Sequence, residues 1–284
     1  MSERSINTLN RRQFVRGLVV AGVVAASSAT AYADLVEPYN YEVTEREIFI
    51  RDLPQGFDGF RITQVSDVHH SGIVSIEEVR RVVELAQATR PDMFALTGDY
   101  TTLSRRFISP CVEELGRLSA PEGVWAVLGN HDHKTGALPT VQALEGAHIN
   151  VIDNRNTRIR RGADELQFAG VGDWLWAKDD WGKALGGVDQ KRPTILLSHQ
   201  PCVFDLPHTK NVSLILSGHT HGGQISFPLI GAPIQIIKQF HYVRGLYKKE
   251  GAQLYVSRGT GMIGVPLRFG ARPEIAVLRL CRAA

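Results

Sequence analysis

"SLILSGHTHGG", residues 213–223, is a short apolar run that passes through a glycine into two histidines and two further glycines. Its length suits a fully buried strand better than a core helix. A buried strand has no use for imidazoles at its end unless something binds there, so the fold turns on whether other strands end alike. Four do. "FRITQVSDVHH" (60–70) ends in Asp67-Val68-His69, and "DMFALTGDY" (92–100) ends in Gly98-Asp99. "GVWAVLGNHDH" (123–133) ends in Gly129-Asn130-His131-Asp132, and "TILLSHQ" (194–200) in Ser198-His199.

Helical patterns separate these runs. In "SIEEVRRVVELAQATRPD" (75–92), Ile76, Val79, Val82, Val83 and Leu85 share one face. Ser75 and Glu78 form a capping box, and Arg90-Pro91 marks the stop. "SPCVEELGRL" (109–118) predicts a helix capped by Ser109 with Pro110 in its first turn, and "PTVQALEGA" (139–147) a short one. Residues 150–171 read as shorter β segments. Strands alternating with helices predict a layered α/β fold, whose strand C-termini converge on one rim.

Taken singly, an Asp after a strand is a turn residue or a helix cap, and a His among glycines is a surface residue. Five such ends at one rim call for a joint explanation. Buried carboxylates and imidazoles need a compensating positive charge, and none of the five turns contains Lys or Arg; a metal supplies it. Gly98, Gly129 and Gly218 each precede a candidate donor, where the chain is expected to turn sharply and approach the ion. The donors Asp67, His69, Asp99, Asn130, His199, His219 and His221 include no thiolate, which suits manganese, iron or zinc. They are too many for one ion, and two ions sharing a carboxylate use them all.

This order of blocks resembles the calcineurin-like metallophosphoesterases, from about Phe60 to the last strand. The resemblance implies a four-layer αββα sandwich and two divalent (or mixed-valence) metal ions. Asp67, His69 and His221 would hold one ion and Asn130, His199 and His219 the other, with Asp99 bridging. His131 matches the family's histidine that meets the leaving-group oxygen. The reaction so implied is phosphodiester hydrolysis by a hydroxide held between the ions. "GHTHGGQI", "RGLY", "YVSRGTG" and "PLRF" resemble the exported or membrane-associated branch, which includes bacterial phosphodiesterases and lipid-sugar pyrophosphatases. One position departs from the family: its Gly-Asp-x-x-Asp/Asn block ends here in Thr102, expected to support a ligand rather than to be one. Two rival readings are a pyrophosphatase of the UDP-2,3-diacylglucosamine type in lipid A metabolism and a non-catalytic metal-dependent binding protein. His131 beside a full donor set argues against the second.

The chain has 284 residues, 43% hydrophobic and 21% charged, the balance of a globular protein. Its net charge of +3 belongs to residues 1–33, where Arg4, Arg11, Arg12 and Arg16 face only Glu3. The body is therefore neutral and has no global field to attract nucleic acid. "NRRQFVRGLVVAGVVAASSATAYAD" (10–34) has a basic front, an uncharged run from Gly17 to Ala33, and small residues at Ala31 and Ala33. With Arg11-Arg12 it resembles a twin-arginine export signal, implying passage through that machinery to the periplasm or membrane surface, with 34–284 as one catalytic domain.

The remaining expectations are local. Cys111 and Cys202 are expected in the core, and the three cysteines are too scattered for a disulfide framework. His70 and His133 are expected at the site's rim, and Arg268 in solvent or on a second phosphate. Asp132 either orients His131 or caps the next segment. Trp174, Trp176 and Trp181 form either a satellite cluster or an apolar wall. The segment 222–247 is either core or a lipid contact through Phe227, Leu229, Ile230 and Ile234, the latter making the substrate lipid-linked and the protein peripheral to a membrane.

Overall fold

The structure, a computed structural model, describes residues 27–233, 241–249 and 251–283. The Arg11-Arg12 pair and Ile234 lie outside the described residues. Helix α1 covers residues 27–35, so Ala31-Tyr32-Ala33 is helical. Among the described residues no helix is long and apolar enough to cross a membrane.

Two six-stranded sheets stack face to face. The first runs β1 (Glu42–Ile50), β12 (Glu274–Arg282), β2 (Arg61–Val65), β3 (Met93–Leu96), β4 (Val124–Ala126), β5 (Asn150–Val151). The second runs β10 (Gly245–Lys249), β11 (Ala252–Val256), β9 (Leu214–Ser217), β8 (Thr194–Leu197), β7 (Asp164–Gly170), β6 (Arg155–Arg161). Strands β2, β3 and β4 are mutually parallel, as are β7, β8 and β9. The pleat sends alternate residues to opposite faces, and both faces are buried. In β3, Met93 and Ala95 enter the layer between the sheets, while Phe94 and Leu96 enter the layer under the helices. In β9, Leu214 and Leu216 face the other sheet and Ile215 the opposite side.

Helices α2 (Ile76–Ala88), α3 (Ile108–Leu115) and α4 (Asn130–Gly146) cover the first sheet. The fourth layer is thin. On the second sheet it consists of the one-turn α5 (Trp181–Ala184) and 3-10 turns at Pro201–Asp205 and Pro207–Thr209. The expected αββα order is therefore found, with its last layer reduced to turns.

The capping box of α2 is present: the Glu78 amide donates to Ser75 Oγ at 3.2 Å, and the Ser75 amide to the Glu78 carboxylate at 2.8 Å. The other two helices differ from expectation. Ser109 does not cap α3, because a 3-10 turn (Arg105–Phe107) leads into Ile108; Ser109 Oγ bonds Glu113 instead. Helix α4 starts nine residues earlier than its apolar pattern suggests, at Asn130, and is broken at Gly136 (φ 143°) ahead of Pro139. Cys111 is buried as expected. Cys202 is not: it lies exposed in the thin outer layer.

Candidate metal centre

The five strand ends meet. Asp67, His69 and His221 bring one donor atom each to within 4.8 Å of one another, and Asp99, His199 and His219 do the same. Asp99 stands between the groups. Its Oδ2 is 3.2 Å from His199 Nε2 and 3.5 Å from His69 Nε2. Asp67 Oδ1 lies 3.4 Å from His221 Nε2, and the facing Nε2 atoms of His69 and His221 are 3.0 Å apart. His219 Nδ1 is 3.3 Å from His199 Nε2. Asn130 and His131 line the same cavity, of about 490 Å³, whose other wall includes Ile225, Pro233, Ile263 and Val265.

Backbone strain holds these side chains inward. Asp67, His69, Asp99, His219 and His221 all have positive φ, between 51° and 72°. The left-handed region costs a residue with a Cβ on the order of 1–2 kcal/mol, and it persists only where the surroundings enforce it. Here cross-strand bonds do so: the Asp67 amide donates to the Gly98 carbonyl and the His69 amide to the Asp99 carbonyl, both at 3.0 Å. The His219 amide donates to the Asp67 carboxylate, and the His131 amide to Asp99 Oδ1 at 2.7 Å.

The glycines act differently from expectation. Gly98 does turn the chain (φ 91°), but Gly129 and Gly218 are needed for close approach rather than for a turn. A Cβ on Gly129 would sit 2.2 Å from Asp99 Oδ1, and one on Gly218 would sit 1.9 Å from Ser66 Oγ.

A second layer of contacts fixes which nitrogen each imidazole presents. His199 Nδ1 lies 2.7 Å from the Thr97 carbonyl, which only accepts, so Nδ1 carries the proton and Nε2 faces Asp99. His69 Nδ1 is 2.6 Å from Thr102 Oγ1, and the same hydroxyl is 3.3 Å from His131 Nδ1. Thr102 accordingly supports two imidazoles, in the supporting position expected of it. Ser66 Oγ donates to Asp67 Oδ2 at 2.6 Å. Asp132 does not orient His131; it accepts from the Gly129, Asp99 and Tyr100 amides, capping α4 and pinning the Asp99 backbone.

Electrostatics follow from burial and from the shared carboxylate. Burial pushes His69 down to about 3, and burial with His199 pushes His219 down to about 4; burial with Arg268 takes His221 well below its ordinary value. Burial pulls His199 down too, but Asp99 and Asp67 outweigh it and raise it to about 10. Against burial, His199 and His69 hold Asp99 far below the usual carboxylate range. Burial and Asp99 push Asp132 up to about 8.

These residues fit a pair of divalent cations. The lone pairs of His69, His219 and His221, kept neutral by burial, and the shared carboxylate oxygens suit first-row ions, and Asn130 Oδ1 is a buried acceptor without a hydrogen-bond partner, as a ligand oxygen would be.

Several expectations need correction. A cation does lie near the centre, brought by a segment outside the five turns. Arg268 is fully buried, with Nη2 3.5 Å from His221 Nδ1, and it is neither in solvent nor free for a second phosphate. Its guanidinium is spent on the carbonyls of Arg258, Gly259, Gly261 and Ala271, which tie the 258–261 loop under Asp67. His70 is not at the rim: it is buried, with Nδ1 2.9 Å from the Val74 carbonyl and its ring edge-on to Phe107. His133 is half-buried beside Trp176, with ring centroids 6.4 Å apart. Trp174 and Trp176 are exposed, whereas Trp181 stacks on His208.

Sequence reading passed over Asp173, although "GVGD" (170–173) closes β7 with the same glycine-aspartate signature. Asp173 is buried but outside both donor groups; it accepts from Gln200 Nε2 and the Trp176 amide and holds the tryptophan loop. Ser66 and the Thr97 carbonyl were also missed, and only their adjacency to Asp67 and Asp99 pointed to them.

Comparison with known proteins agrees with this architecture. Residues 60–223, which include every candidate donor, match the family described as calcineurin-like phosphoesterase. An uncharacterized metallophosphoesterase of Bacillus subtilis, YkuE, is 33% identical over 96% of this chain and 98% of its own length. The phosphodiesterase YaeI of Escherichia coli is 30% identical over 96% of this chain and 99% of its own. Among solved structures, TT1561 of Thermus thermophilus shares the fold at a TM-score of 0.50 and 16% identity, covering 71% of this chain and 90% of that one. Two stacked sheets with metal-capable donors at one rim, and similarity along nearly the full length of both chains, give the conclusion that this chain belongs to the calcineurin-like phosphoesterase family.

Proposed function

We propose that the protein hydrolyses phosphodiesters with two divalent cations, one held by Asp67, His69 and His221, the other by Asn130, His199 and His219, with Asp99 shared. The observation that carries this reading is the position of Asp99 Oδ2, within 3.5 Å of an imidazole from each group. Bound there, a pair of divalent ions supplies charge to clamp phosphoryl oxygens and to acidify water.

The chain's own residues do the rest. His69 presents Nε2 to an ion when Nδ1 donates to Thr102; the Thr102 hydroxyl is then free to donate to His131 Nδ1. That leaves the His131 proton on Nε2, available to a leaving-group oxygen in the cavity it lines. Asp132 and Gly129 fix the start of α4, and with it Asn130 and His131. The similarity to YaeI, a phosphodiesterase, supports a diester as substrate.

The pyrophosphatase alternative is weakened because Arg268 is consumed by backbone carbonyls and offers no hand to a second phosphate. The basic front and uncharged run of residues 10–34 support export by the twin-arginine route; the N-terminus of the mature protein, sequenced from the periplasmic fraction, tests it. The activity is tested by metal analysis of the purified chain, paired with assays of bis(p-nitrophenyl) phosphate, p-nitrophenyl phosphate and a nucleotide diphosphate sugar. The reading expects about two ions per chain and preference for the diester. Two ions without turnover of any ester would favour a binding protein instead.

A further inference from the structure

The loops that follow the strand ends, on the rim where the donors gather, carry large apolar side chains exposed to solvent. Leu103 stands just beyond Asp99, Trp174 and Trp176 beyond β7, Leu229 and Ile230 beyond His221, and all are exposed, Leu229 completely. Val265, also exposed, continues this ring into the cavity wall, where Ile225 and Ile263 meet the metal-capable donors. Soluble proteins seldom gather so many apolar side chains on one face unless that face meets a partner. Exposed cations are interleaved with them: Arg105 and Arg106 after Leu103, and Lys178 after Trp176.

The N-terminal segment joins the body at the same rim. The Arg268 amide donates to the Ala33 carbonyl at 3.0 Å, the next amide, of Phe269, donates to the Gln224 carbonyl, and the Gln224 amide donates to the His221 carbonyl. Residues 27–35 are helical, and the Ala33 carbonyl is thus fixed beside the segment that carries Gln224 and His221; Leu35, two residues on, is exposed.

Building on the phosphodiesterase reading, we propose that this face docks on an anionic phospholipid bilayer. Trp174, Trp176, Leu229 and Ile230 enter the headgroup–acyl boundary, interleaved cations meet the lipid phosphates, and the cavity opens at the interface.

The test uses the full chain with vesicles of phosphatidylcholine and phosphatidylglycerol whose acyl chains are brominated near the headgroup. Of the four tryptophans, Trp125 lies in the first sheet and Trp181 is stacked on His208, so quenching reports on Trp174 and Trp176. Quenching is expected in the wild type and lost in W174F/W176F. The pair L229D/I230D is expected to weaken vesicle partition about tenfold while leaving turnover of soluble bis(p-nitrophenyl) phosphate within about twofold. Vesicle binding without quenching would mean that the N-terminal run alone holds the membrane, and would overturn the proposal. So would partition unchanged in L229D/I230D, or sedimentation showing a dimer that covers the ring and ignores vesicles. Soluble-diester turnover is read separately, so its absence would end the hydrolase reading without touching the quenching result.

Discussion

A single hydroxyl, that of Thr102, sits between His69 of the first donor group and His131. It is within reach of both His69 Nδ1 and His131 Nδ1, so its one proton decides how the second imidazole is used. Thr102→Val keeps the shape and removes that proton. We expect turnover of a soluble diester to fall about 10–100-fold, the usual worth of an outer support, with about two ions still bound. His131→Ala is expected to cost about 10²–10⁴-fold in kcat with the same metal content. A metal-free H131A protein would show that the residue is a ligand rather than an acid. At this scale the sequence was most informative for residues that carry chemistry at a strand end and least for their supports. Nothing in the order of residues distinguishes Asp99, which joins both donor groups, from Asp173, which holds a loop. Nor does it foretell that Arg268, 47 positions past His221, is drawn in beside it.

Among elements, the strand ends were legible because a buried strand has a short apolar run and a polar stop, while the start of α4 was not. Its first turn, Asn130-His131-Asp132, has no apolar periodicity; Asp132 accepting the Gly129 amide makes it helical. The glycines at these ends are set by packing. Gly218→Ala would drive a methyl into Ser66 Oγ and Asp67 Oδ2, 1.9 and 2.2 Å from the added carbon. Thermal melting should show a loss of about 1–3 kcal/mol, with weaker metal retention on dialysis.

The end of β4 carries a titrating anchor. Asp153 accepts from the Leu128 amide at 3.0 Å, and burial pushes it up to about 7. A carboxyl raised above its unfolded value near 3.9 keeps its proton longer when folded, so its contribution to stability declines as pH rises from about 4 to about 7. The limiting slope is about 1.4 kcal/mol per pH unit. Asp153→Asn retains the acceptor without the titration. In chelator-treated protein, the melting temperature of the variant should gain on the wild type between pH 5 and 8; parallel curves would remove Asp153 as the cause.

Across the whole molecule, the sandwich brings together residues from β2, β3, β4, β8 and β9, whose parallel C-termini face one way. Cations that bind only this assembled state stabilise it by mass action, about 2.7 kcal/mol at a hundred times Kd. Adding manganese or zinc to chelator-treated protein should therefore raise the melting temperature, and D99N should blunt the rise for both ions together. The αββα order came from the family resemblance, and a layered α/β fold was readable from the alternation of strands and helices. The thinness of the last layer was not, because the turns at Pro201–Asp205 and Pro207–Thr209 leave no periodic trace.

Strand β12 lies in the interior of the first sheet, parallel to β1 on one side and antiparallel to β2 on the other. The seam beside Asp67 therefore cannot close until residues 274–282 are in place, and until then the facing edges of β1 and β2 lack their hydrogen-bond partner. These pairs join positions more than 200 residues apart, so closing the first sheet is a long-range and late step in folding, slower than the local strand–helix–strand pairings around it.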